Sequence, residues 1–597
     1  MTNTANGHTF YIPVMGTAFT IDTPLMVAKY GISSVISLVD DVLIEQMRKF
    51  YSEKSGEPYE EITDKDEDSR AHRITCYLNL VNKLVQRQLD NLKASSFIDG
   101  SDIVRYYELL PNVAAKQIYE EMLVENNPIN KQVMQTKLRT LVTPGSIDVN
   151  IMTKLDRDNY KGKEKLAPEF ADALAAFRGF AQSDLNSSMI FSAGMNLRLF
   201  SYIAQFDDFF PNEHGHIQKK IVLKVSDYRS AEIQGKFLAK RGVWVSEYRI
   251  ESGLNCGGHA FATMGYLLGP VLEEFKLRKN ELIEKLFSIC NKALTAKDRS
   301  IMHSAPPVKI TVQGGIGTKD EDELLRDFYE VDSTGWGTPF LLVPEATNVD
   351  DYHIKKLTES TKEDVFLSTS SPLGIPFWNL KNSGSEIERQ NHIDIGRPGS
   401  PCPKGFLVSN TEFTKVPICK ASRGFQRRKI KEIAEENYSP EQLPVVRDEM
   451  LSKSCICHDL SGTVKVKLGI EPDVYPAICP GPNIVNFSRI ATLEEMVSHI
   501  YGRINQLINP DRPHMFEREL ALYINYLREE IDNFSVGLST RKQSYFDEFK
   551  NNLQEGIEHY KQLPQTLIKD KWNSFIEELK LLYDDIEALT LESITTT

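Results

Sequence analysis

Long apolar runs are missing from this 597-residue chain. No window approaches the ~18 consecutive apolar residues that a membrane helix needs. The opening MTNTANGHTFYIPV also lacks the cationic stretch and apolar segment of a secretory leader. A cytoplasmic protein with no membrane partner is therefore expected. Net positive charge is absent as well: the formal charge is −13, so the cationic face that nucleic acid or an anionic bilayer demands is not expected. Eight cysteines are too few to scaffold so long a chain by disulfides, and reduced thiols are the default. No repeat of fixed period is evident. Nor does any strand–GxGxxG–helix unit occur, so a nicotinamide nucleotide would have to dock directly at the reacting site.

The hydrophobic fraction of 41% with 26% charged residues is that of a soluble globular protein, and the length calls for two or three domains. The first 350 residues alternate short β-branched runs with amphipathic stretches, the pattern of βα units around a parallel sheet. Eight runs are expected as strands: FYIPVMG near residue 10, SSVISLV near 33, SIDVNIM near 146, SSMIFSAG near 187, KKIVLKVS near 219, VWVSEYRI near 243, VKITVQGG near 308 and EVDSTGWGTPFLLV near 330. Helix punctuation separates them. Thr23 and Pro24 offer a start and Gly31 a stop; SAEIQGKFLAKRG opens with a serine and ends in basic residues and Gly242; KDEDELLRDF puts acids in the first turn. Eight strands with intervening helices predict an α/β fold, a (β/α)8 TIM barrel over 1–40 and 142–350, with its site at the carboxyl ends of the strands.

About 100 residues separate the second and third runs, far more than an ordinary connection. Segments such as AHRITCYLNLVNKLVQRQLDNL have helical spacing, so 41–141 is expected to be a helical insertion, either a cap over the site or an oligomerisation element. Residues 351–485 form an irregular, cysteine-bearing region. From 486 to 597 helical periodicity returns, ending in an ITTT tail expected to fray.

Glycines mark three successive strand ends. ESGLNCGGH follows the sixth run, VQGGIGT the seventh, and TGWGTPF lies in the eighth. Gly314, Gly315, Gly337 and Thr338 would be neighbours at the top of the barrel, where bare N–H groups make a phosphate cradle. His259, after Gly257 and Gly258, supplies a side chain that titrates near neutrality. Structural turns and a histidine satisfied by a loop carbonyl are the plainer alternatives.

In order over residues 8–347, the insertion apart, the chain resembles the FMN-dependent nitronate monooxygenase (2-nitropropane dioxygenase)-like barrels, which include flavin-dependent enoyl-acyl-carrier-protein reductases. IPVMGTAFTIDTPLMVAKYG is similar to the segment that runs under the flavin, giving Pro13, Met15 and Gly16. Asn150 in VNIM and Lys224 in VLKVS match flavin-contacting positions. GGH matches the glycine-rich turn with its catalytic or substrate-facing histidine, giving Gly258 and His259, and Gly314, Gly315, Gly337 and Thr338 match the FMN phosphate site. The resemblance implies an FMN-dependent oxidoreductase, a monooxygenase or reductase acting on a carbon acid or activated alkene. The substrate would be a small molecule, free or acyl-linked, and the electron source NAD(P)H or an electron-transfer protein. Asn255 and Cys256 stand where the family has Glu and Ala. The insertion and C-terminal half are foreign to its short members. A non-redox barrel holding a phosphorylated metabolite, and a scaffold with a vestigial barrel, are the alternatives, and self-association is left open.

Cys402, Cys419, Cys455, Cys457 and Cys479 crowd into about 80 residues with His458. Soft thiolates so grouped suggest an iron–sulfur cluster or zinc, with unligated cysteines as the alternative. Cys256 next to GGH is read as a small packed residue before an active-site thiol.

Overall fold

A computed structural model describes residues 7–402 and 404–590. The expected frayed tail, ITTT, lies outside the described residues. Each of the eight expected runs contains a strand, here β1 (Phe10–Ile12), β2 (Ser33–Ser37), β3 (Ile147–Ile151), β4 (Ser188–Phe191), β5 (Lys220–Val225), β6 (Val245–Glu251), β7 (Lys309–Gln313) and β8 (Ser333–Gly335), although the end of the eighth run, Thr338–Leu342, is a 3-10 helix. They pair in parallel in sequence order. Tyr11 of β1 sits beside both Ser33 and Gly335, closing the barrel.

Inside the barrel the side chains are of two kinds. Val35, Ile190 and Val222, with Val14, form a small apolar group. On the opposite wall, Tyr11, Glu247, Arg249, Glu251, Thr311 and Gln313 form a polar ladder. Arg249 pairs with Glu247 at 2.8 Å and lies over the Tyr11 ring at 4.0 Å. Thr311 donates to Glu247 at 2.6 Å, Tyr11 to Gln313 at 3.2 Å, and Gln313 to Glu251 at 2.7 Å. Buried polar groups are tolerated because each finds its partner, and the ladder leads up to the strand ends.

Helix ends follow local chemistry. The Asp40 carboxylate accepts from the Leu43 N–H at 3.0 Å and starts the helix Asp41–Ser55. Gly31 ends the first helical turn with φ 80. Thr318 caps Lys319–Glu323, whose first turn carries the expected acids. Two starts differ from expectation: Asp22 precedes the helix Thr23–Val27, and Asp227 rather than a serine caps Tyr228–Ala239. The Asp227 carboxylate accepts from the Ser230 N–H at 2.7 Å, as a serine hydroxyl would, whereas the Asp22 side chain makes no capping bond.

Within 41–141 lie the helices Asp41–Ser55, Ser69–Ala94, Asp102–Leu109, Ala114–Val124 and Pro128–Leu141. The long Ser69–Ala94 packs along Asp172–Ala181, the helix that follows β3, and Gly179 admits Ile74 where a Cβ would stand 2.7 Å away. The region after the barrel is more regular than its composition suggested. It contains an antiparallel hairpin of β9 (Val365–Ser368) and β10 (Phe377–Leu380) and several helices. Met515–Ser535, Gln543–Lys561 and Trp572–Ala588 pack on one another, with the Phe516 and Tyr560 rings stacked at 4.5 Å.

Candidate functional site

Two adjoining cavities open at the carboxyl ends of the strands, sharing Val14, Gly16, Glu251, Gly257 and Cys479 in their walls. The smaller, of 80 Å³, is bounded by Met15, Gly314, Gly315, Gly337 and Thr338. The larger, of 170 Å³, is bounded by Asn150, Lys224, Gly258 and His259. Every expected cofactor residue and the expected histidine thus line one or the other of two adjoining cavities.

Gly314 and Gly315 have φ of 116 and 76, so successive N–H groups converge into a small concavity, as L-residues with side chains seldom allow. Among the described residues, the N–H groups of Gly314, Gly315, Ile316 and Gly337 meet no acceptor. These donors, on buried or half-buried residues, line the smaller cavity, and convergent N–H groups without a protein acceptor suit an anionic ligand. Gly337 leaves room where a Cβ would stand 3.2 Å from Met15 and Pro13. Thr338 is differently engaged: its hydroxyl accepts from the Gly481 N–H at 3.1 Å.

The GGH turn is clamped on two sides. The Trp378 N–H donates to the Gly258 carbonyl at 2.9 Å and the Ala260 N–H to the Pro376 carbonyl at 2.9 Å, so His259 pairs with Phe377 as a short antiparallel bridge. Gly257 faces the loop of Cys479–Gly481, where a Cβ would lie 2.7 Å from the Cys479 carbonyl and 2.8 Å from the Gly481 nitrogen. Gly257 therefore serves a close approach of protein backbone. Gly258, with φ 75, turns the chain so that His259 enters the cavity.

The His259 Nε2 lies 2.8 Å from the Ser371 hydroxyl oxygen, and its ring meets Phe377 edge-on at 5.1 Å. Burial, reinforced by Lys154 and Lys224, lowers its pKa to about 4, so the imidazole is neutral at neutral pH. Ser371 also accepts from the Leu373 N–H at 3.3 Å. Nδ1 has no hydrogen-bond partner among the described residues. Lys224 pairs with Glu251 at 2.6 Å, which ties the site to the polar ladder below. Lys154 has no carboxylate partner among the described residues and lies over the Phe261 ring at 4.1 Å.

Three of these residues escaped the sequence. Glu251 is a charged residue at the end of a predicted barrel strand, a signal that could have found it. Lys154 follows the β3 motif closely and was legible on the same ground. Ser371 carries no local signal at all. The roof was also unforeseen: Phe377, Leu407, Ile456 and Leu460 cover the larger cavity, and no residue of 41–141 lines it.

The cysteines do not make the expected centre. Among the described residues, no group of three or more His, Cys, Asp or Glu is placed to hold a metal ion. Cys402 contacts Cys455, and Cys455 contacts Cys457, while Cys419 is linked to Cys402 only through its charge. Cys457 and Cys479 both line the larger cavity, and burial pushes the Cys479 thiol up to about 12. Burial likewise raises Cys419 to about 11. Cys256 is buried, with its thiol pushed well up chiefly by burial, and packs as a small residue.

No family model and no curated protein matches this chain. Among solved structures it is similar to the enoyl reductase domain of MlnA from the macrolactin biosynthesis cluster of Bacillus amyloliquefaciens, at 13% identity, with 70% of this chain and 94% of that one covered and a TM-score of 0.33. It is also similar to nitroalkane oxidase from Streptomyces ansochromogenes, at 9% identity, with 83% and 94% covered and a TM-score of 0.33. The barrel itself rests on the strand pairing described above.

Proposed function

We propose that this protein is an FMN-dependent oxidoreductase of the nitronate monooxygenase and enoyl reductase type, acting on a carbon acid or an activated alkene. One observation carries the proposal: the unpaired N–H cluster at the ends of β7 and β8 lines a cavity that adjoins, and shares wall residues with, the one lined by His259. The cluster suits a phosphate, and the adjoining space, bordered by Met15, Gly16, Asn150 and Lys224, suits the ring system attached to it. When bound, FMN supplies two-electron acceptance and donation.

The chain's own residues account for the rest. With Nε2–H donated to Ser371, the imidazole presents the Nδ1 lone pair to the cavity, ready to take a proton from carbon next to an electron-withdrawing group. Its lowered pKa keeps that lone pair free at neutral pH. Phe261, Phe377, Leu407 and Ile456 exclude water and strengthen the local electrostatics. Lys224, held by Glu251, places a fixed positive charge beside the site. Asn150 is oriented by donating to the Ile190 carbonyl at 3.2 Å.

Purified protein should be yellow and release FMN on heating, and photoreduced protein should be reoxidised by an enoyl thioester or the oxidised form reduced by a nitroalkane anion. Protein that stays colourless after incubation with excess FMN would overturn the proposal. A colourless protein that nevertheless binds a sugar phosphate would return the barrel to a non-redox role.

A further inference from the structure

Three consecutive carbonyls of the loop after β7 are each taken by a side chain from the C-terminal region. The Gly315 carbonyl accepts from Arg512 Nη2 at 2.7 Å, that of Ile316 from Asn483 Nδ2 at 3.1 Å, and that of Gly317 from His499 Nε2 at 3.0 Å. These donors are themselves locked. Arg512 donates from Nε to Asn483 Oδ1 at 3.0 Å and from Nη1 to Glu321 at 2.6 Å. Asn486 donates to the same Asn483 oxygen at 2.9 Å, fixing the orientation of the amide. His499 Nδ1 accepts from the Gln506 N–H at 3.2 Å, so the ring is the neutral tautomer that carries its proton on Nε2. Gly317 has no Cβ because one would stand 2.7 Å from the Arg512 guanidinium.

In a trans peptide the carbonyl of one residue and the N–H of the next point in opposite directions. Holding the Gly315 carbonyl toward Arg512 therefore turns the Ile316 N–H the other way, and that N–H is one of the donors without an acceptor among the described residues. The Gly317 N–H is taken out of contention by Glu321 at 2.8 Å. The loop would otherwise be free to rotate its peptides, since two left-handed glycines begin it.

We infer that Arg512 aims the phosphate-binding Ile316 N–H, and that Asn483 and His499 are positioning residues that hold Arg512 and the next two peptides so that the loop keeps this setting; phosphate recognition then belongs to the C-terminal region as much as to the barrel. The inference rests on the FMN reading for the identity of the ligand and on the hydrogen bonds alone for the brace.

Flavin stripped from the full chain allows FMN and riboflavin, which differ by the phosphate, to be compared by fluorescence titration. Asn483→Leu and His499→Phe should weaken FMN binding about 10- to 100-fold, leave riboflavin within about twofold, and so collapse the preference for FMN. His499→Gln, which can still donate, should restore part of it. Arg512 is left intact because its removal would strand Glu321. Equal losses for both flavins, or an unchanged preference in a folded variant, would overturn the brace. If the wild type binds neither flavin, the FMN reading fails while the brace stays testable. Inorganic phosphate should then slow hydrogen exchange of 314–318 in the wild type and not in the two variants, and no protection of the wild type would overturn it.

Discussion

His259 Nε2 and the Ser371 hydroxyl oxygen stand 2.8 Å apart, joining the turn after β6 to a segment beyond the barrel. That contact selects which imidazole nitrogen faces the cavity. His259→Asn should keep FMN yet slow the half-reaction with substrate by ~10²–10⁴-fold, the usual loss for a general base. Ser371→Ala should cost up to about tenfold, the worth of one hydrogen bond. Stopped-flow flavin absorbance measures both. FMN lost together with rate would return His259 to a structural role.

The pH profile has a defined sign. Because the pKa of His259 is lowered to about 4, the base stays deprotonated from pH 8 down to about 5. The rate should be flat in that window and fall only toward pH 4. A break near 6.5 would mean an imidazole less buried than the structure places it.

Two glycines of the cradle should respond differently. Gly337→Asp meets only the flexible Met15 and the Pro13 ring, so flavin should be lost while the apoprotein melts within a few degrees of wild type. Gly315→Ala meets Asn255 at 2.0 Å and a φ of 76, so the loop itself should be destabilised, by about 1–3 kcal/mol. Calorimetry with and without FMN separates the two.

Glu519 is buried among the Ser252 hydroxyl, the Leu268 N–H and Tyr560, and burial raises its carboxyl to about 7. Between pH 4.5 and 7 the folded state holds a proton that the unfolded state has lost, so this contribution is complete below 4.5 and disappears as pH rises through 7, on the order of 3 kcal/mol. Glu519→Gln should flatten that slope in denaturant titrations. His514 acts oppositely. Burial lowers it to about 4, and its stabilisation is lost as pH falls from 6.5 toward 4. An unchanged slope in the Glu519 variant would show that the carboxyl ionises normally.

Gly257→Ala should displace the loop of Cys479–Gly481, whose backbone stands within 2.8 Å of the new methyl. Faster exchange of the 477–483 amides and a slower half-reaction should appear together. Neither would change if the loop were free to yield.

The strands, the glycine cluster and the histidine were legible because each is written locally. Apolar β-branched runs bounded by glycine can bury a parallel sheet from both sides, and a left-handed φ at Gly314 and Gly315 is a property of those residues alone. The ends of the helices were legible to within a residue or two for the same reason. What stands around the ligand space was decided by tertiary structure. Ser371 reaches His259 across 112 residues and Arg512 reaches Gly315 across 197, and no spacing rule connects positions so far apart. The cysteines show the converse. Closeness along the chain suggested a single metal centre, yet Cys457 and Cys479 line the larger cavity while Cys402, Cys419 and Cys455 do not, because the path of the backbone, and not the composition of a segment, sets which side chains share a space.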